Sequence, residues 1–78
     1  MSNVGDPFKF AEVVVADTDF SAPCRGIWVG TTGNVSVRMY GDGAVRIFQS
    51  VPAGTVLPVQ ATRVNASGTT ASNMVAGW

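Results

Sequence analysis

Apolar residues along this chain come in short runs, broken about every ten residues by Gly, Pro, Asn or Asp, a spacing that fits antiparallel strands joined by tight turns. The runs predict strands over Phe10 to Ala16, Gly26 to Val29, Val35 to Tyr40, Ala44 to Ser50, Thr55 to Val59, Ala61 to Ala66 and Asn73 to Trp78. Between them lie Asp17 to Pro23, Gly30 to Asn34, Gly41-Asp-Gly43, Val51-Pro-Ala-Gly54 and Ser67-Gly-Thr-Thr70, all rich in turn residues. No window shows convincing helical periodicity. The run Val13-Val14-Val15 predicts a strand covered on both faces. Met1 to Lys9, with Gly5 and Pro7 and no period, reads as an extended arm ahead of one β domain over Phe10 to Trp78. The expected fold is all-β, a small antiparallel β-sandwich or jelly-roll-like barrel of about six or seven short strands.

The hairpin around Gly41-Asp-Gly43 can be tested for register, because a slip of one residue exchanges the two faces of a strand. A two-residue loop sets Arg38 across from Ile47 and mixes charge with core. A three-residue loop sets Met39 against Val45 and Val37 against Ile47 on one apolar face, with Gly43 as the positive-φ residue. Arg38, Tyr40, Arg46 and Phe48 then share the other face, and Arg38 faces Arg46 as an unfavourable like-charge pair. Two readings follow: the arginines splay into water, or they and the two aromatics meet an acidic or carbonyl-rich surface of another subunit.

Composition agrees with strands. Thirteen Val and seven Thr stand against one Leu and two Ile, and β-branched side chains pack well on a pleated surface. The 78 residues allow a single domain with a thin core. Apolar burial worth roughly 110 kcal/mol faces about 115 kcal/mol of ordering cost, so chains of this size usually need a supplement such as disulfides, a metal or a partner. One Cys and no His leave partners as the expected supplement.

Charge and chemistry narrow the function by exclusion. Five basic and five acidic residues cancel, which removes the non-specific attraction that draws proteins to nucleic acid. The longest uncharged stretch, Ile47 to Thr62, is interrupted by Pro52 and Pro58, so no membrane span is expected, and Met1 to Phe10 lacks the pattern of a signal peptide. Without His there is no Ser/His or Cys/His pair. The carboxylates are few and scattered, and Asp17 and Asp19 fit local backbone hydrogen bonding better than a Ca²⁺ cage. Cys24 reads as a small buried hydrophobe. Neither catalysis, a cofactor nor a metal is expected.

What remains is contact chemistry. Trp28 points away from its neighbours Ile27 and Val29 on a strand, toward an inter-sheet core or a subunit contact. Two readings hold for Trp78: a frayed last residue, or the end of an apolar strand, Met74 to Trp78, that docks. Phe8 and Phe10 are available as apolar anchors if the arm adds a strand to a neighbour's sheet edge. The interface candidates are therefore Phe8, Phe10, Trp28, Arg38, Tyr40, Arg46, Phe48 and Trp78.

Three motifs in order are familiar: Arg25-Gly-Ile-Trp-Val-Gly30, then Val51-Pro-Ala-Gly-Thr-Val-Leu-Pro58, then Gly68-Thr-Thr-Ala71 with terminal Trp78. Across Asp17 to Trp78 the chain resembles the small head-spike base and capsid decoration proteins of gene transfer agents and tailed phages of alphaproteobacteria. The resemblance implies a β-rich virion protein on the outer capsid surface, with no catalysis. It implies a homo-oligomer, trimer or pentamer, bound to the major capsid protein and sometimes carrying a spike fibre protein. Cement at threefold positions and spike base both fit. A second class is a host-receptor or carbohydrate-binding module on the virion, with Trp28, Tyr40 and Trp78 as stacking platforms.

Overall fold

A computed structural model describes residues 8–78. Seven strands make two antiparallel sheets: β1 (Ala11–Val13), β2 (Gly26–Val29), β3 (Gly33–Met39), β4 (Val45–Val51), β5 (Thr55–Leu57), β6 (Ala61–Asn65) and β7 (Val75–Gly77). One sheet has the order β1-β7-β2-β5, the other β4-β3-β6. The described residues are all-β, as the spacing of turn residues predicts, and the two sheets form a sandwich.

Alternation within strands builds the core. Ile27 and Val29 of β2, with Ala76 of β7, meet Val35 and Val37 of β3 and Val64 of β6, all fully buried. Side chains alternate across a strand, so Trp28 turns outward and is 41% exposed. Cys24 packs into this core with its thiol 3.6 Å from the Val59 carbonyl, and burial raises its pKa above the ordinary 9.0.

The turn closing β3 and β4 differs from the expected one. Met39 N–H donates to the Ala44 carbonyl and Gly43 N–H to the Met39 carbonyl, which leaves a four-residue loop, Tyr40 to Gly43. Gly43 takes φ +68°, as anticipated, and Asp42 Oδ1 accepts the Ala44 N–H at 2.9 Å. The extra loop residue shifts the register by one: Arg38 faces Val45, Val37 faces Arg46 and Ser36 faces Ile47. Arg46 and Phe48 thus share the inner side with Val35 and Val37, while Val45 and Ile47 stand half-exposed outside. The predicted Arg38–Arg46 pair does not form, because the two side chains belong to opposite faces. Arg38 instead faces Arg63 on β6, and Arg63 is neutralised by Asp19 at 2.7 Å.

The first strand also needs correction. β1 is three residues long and exposed throughout. It lies at the edge of the wider sheet, beyond the cover of the three-stranded one, and of the valine run only Val14 turns partly inward. The beginning of the predicted arm, Met1 to Pro7, lies outside the described residues. Its last residue, Lys9, donates its N–H to the carbonyl of Trp78.

Candidate functional site

No described group of His, Cys, Asp or Glu is arranged to hold a metal ion. The features that remain are apolar faces, grooves and strand edges.

The outer face of the four-stranded sheet carries a row of cross-strand neighbours. Val13 on β1 faces Val75 on β7, Val75 faces Trp28 on β2, and Trp28 faces Val56 on β5. Directly opposed residues in antiparallel strands project from one side, so four apolar side chains line up across the sheet. Beside it runs a second row, Ala11, Gly77 and Gly26. The missing side chains there make room for Phe8, whose ring lies on the backbone of Gly77; a Cβ at Gly77 would overlap it and one at Gly26 would sit 3.2 Å away. Phe8 and Trp28 therefore belong to one continuous apolar face, with Val13 74% exposed at its margin.

Phe10 and Trp78 meet elsewhere. They line an open groove of about 410 Å³ with Glu12, Ser21 and Ala22. Trp78 is tied down four ways. Its indole N–H donates to the Ala22 carbonyl at 2.9 Å, and its ring meets Phe20 edge-on at 5.5 Å. Its carbonyl accepts the Lys9 and Phe10 N–H groups, and its own N–H donates to the Phe10 carbonyl.

The remaining candidates belong to the other sheet. Arg46 and Phe48 line a groove of about 650 Å³ with Met39, Gly41, Asp42 and Ile47. Arg46 lies 3.7 Å from Asp42, an exposed pair of the kind worth little in water. Arg38 stands on the opposite face without an ion pair among the described residues, and Tyr40 is exposed in the hairpin loop. Trp28 turns outward from β2, Trp78 packs against the core, and Tyr40 is exposed in the hairpin loop of the other sheet. Sequence reasoning missed Val13, Val45, Ile47, Val56 and Val75 as surface residues. The signal was available for Val56, at the centre of a three-residue strand whose flanking positions face the other way, and for Val75, which alternates with the buried Ala76 on β7.

No protein-family profile matches the chain, and no curated protein does. Among solved structures it is similar to a chain in the capsid of a native gene transfer agent particle, computed with C5 symmetry. The two share 29% identity and a TM-score of 0.79, over all of this chain and 92% of the other. The likeness supports a capsid-related protein of the gene transfer agent and phage kind, structural in character and associated with the virion.

Proposed function

We propose that the chain is a structural virion protein of the outer capsid surface, a decoration (cement) protein or head-spike base that binds the major capsid protein and works as a homo-oligomer. The observation that carries this reading is the likeness, along the whole chain, to a component of a gene transfer agent capsid. The apolar row Val13, Val75, Trp28 and Val56 supplies a physical means of attachment. A face of this kind on a small module marks an interaction surface, and a tryptophan at its centre is a common source of binding energy. The separation of Trp28, Tyr40 and Trp78 weighs against a shared aromatic platform for a sugar.

Co-sedimentation of the purified chain with empty shells of the major capsid protein tests the reading. The wild-type chain pellets with shells, and Trp28→Glu, which places a charge in the apolar row, weakens the association by roughly tenfold or more. A chain that stays in the supernatant at every shell concentration contradicts the proposal.

A further inference from the structure

The sandwich treats its strand edges unequally. The outer edge of β6 is closed by the segment that follows β1: Asp17, Phe20 and Cys24 donate their N–H groups to the carbonyls of Val64, Thr62 and Ala61. β5 is three residues long and stops before Pro58. β1 and β4 receive no such cover from the described residues. Unpaired N–H and C=O groups along a strand edge are a template for another strand, and natural sheets usually blunt them.

Which groups point outward follows from the alternation of antiparallel pairs. Met39 and Ala44 form a bonded pair at the hairpin end, so Val37 and Arg46 form the next, and the backbones of Val45 and Ile47 turn to the free edge. On β1, Phe10 and Trp78 exchange hydrogen bonds, Glu12 and Ala76 come next, and the backbones of Ala11 and Val13 turn outward. Each edge therefore offers two outward residues flanking one charge. On β4 the triplet is Val45-Arg46-Ile47; on β1 it is Ala11-Glu12-Val13. All six residues are exposed. Among the described residues the guanidinium of Arg46 meets Asp42 at 3.7 Å and the Val45 carbonyl at 3.2 Å.

We propose that β4 of one copy pairs antiparallel with β1 of the next, with Arg46 opposite Glu12. Val45 and Val13 then exchange backbone hydrogen bonds, as do Ile47 and Ala11. Arg46 and Glu12 occupy the non-bonded position between them, where side chains approach most closely. Val13, Val45 and Ile47, which are 74%, 50% and 51% exposed in the single chain, cover one another. The short Pro52 to Gly54 link keeps β4 beside β5, and the segment after β1 runs along β6, so the two edges lie at opposite corners of the sandwich. The contact is head-to-tail. Such contacts close into rings when the rotation between copies allows it. This inference rests on the reading of the chain as a homo-oligomer and names the surface that makes it one.

Sedimentation and cross-linking of the full chain test the contact. Glu12→Arg and Arg46→Glu each set like charges face to face and are expected to weaken self-association by roughly tenfold or more. Combining them restores it. Both positions are exposed, so tryptophan fluorescence should report unchanged folding in every variant. For cross-linking, a mixture of Glu12→Cys and Arg46→Cys chains should form a disulfide-linked dimer under oxidation, while neither chain alone does so. A monomeric wild type, single reversals without effect, or a double variant as weak as the singles overturns the contact. A chain that stays monomeric yet pellets with shells loses this interface and leaves the capsid reading intact; one that self-associates but ignores shells does the reverse.

Discussion

Ser50 sits near the end of β4 with φ +56°, where the register shifts between Gly33 and Val35 and one strand carries an extra residue. Asn34 Oδ1 accepts its N–H at 3.0 Å and holds the bulge. A side chain in this left-handed region costs about 1–2 kcal/mol, which glycine avoids. Ser50→Gly should therefore stabilise the chain by about 1 kcal/mol in urea unfolding. Ser36 presents a different tension. Its hydroxyl is buried and unpaired, as is the side-chain N–H₂ of Asn65 directly across from it. Removing an unsatisfied hydroxyl discards a group that folding had desolvated without return, so Ser36→Ala should leave stability unchanged or raise it by up to ~1 kcal/mol. Cys24 gives a pH dependence. Burial holds its thiol neutral in the folded chain, so the unfolded chain loses the proton first as pH rises past 9.0. The stabilisation is complete below that pH and is lost progressively above it. Denaturation of the wild type and Cys24→Ala on both sides of pH 9.0 should show an alkaline loss present only in the wild type. The burial of Cys24 was legible from the sequence, because a lone cysteine that cannot pair behaves as a small hydrophobe. The positive φ of Ser50 was not, because a bulge depends on the partner strand.

At the scale of elements, the strands were legible and their registers were not. Turn residues mark where β2 through β7 begin and end, because Gly, Pro and Asn act locally. Register depends on how many residues the hairpin loop takes, and Asp42 settles that by bonding to the backbone of Ala44. This one residue moved Val45 and Ile47 from the expected core to the surface and separated Arg38 from Arg46. β1 was misread for a related reason: a run of valines predicts burial, but an edge strand outside the cover of the second sheet stays exposed. Trp78 shows an element held by its last residue. Deleting it removes the edge-on contact with Phe20, the indole bond to Ala22 and the anchorage of Lys9 and Phe10. The loss of a half-buried tryptophan with these bonds should cost roughly 3 kcal/mol and lower the melting temperature markedly. An unchanged melting temperature in the truncated chain would show that β7 holds without it.

For the whole molecule, the exposed surface of 4565 Å² is close to the roughly 4,500 Å² that size scaling gives for a folded chain of this mass. The core is as thin as the composition implied, and among the described residues neither a disulfide nor a metal cluster supports it. The apolar face around Trp28 and the open edges of β1 and β4 are surfaces through which neighbours can supply the missing stability. Anything that binds only the folded chain raises its apparent stability by mass action, so the melting temperature should climb with protein concentration and climb further when shells are added. The most direct measurement is electron cryomicroscopy of capsid particles assembled with and without this chain. The account predicts added density on the outer surface, at local threefold positions for a cement role or at fivefold vertices for a spike base, with the Trp28 face toward the shell. Particles whose outer surface is the same with and without the chain would contradict it.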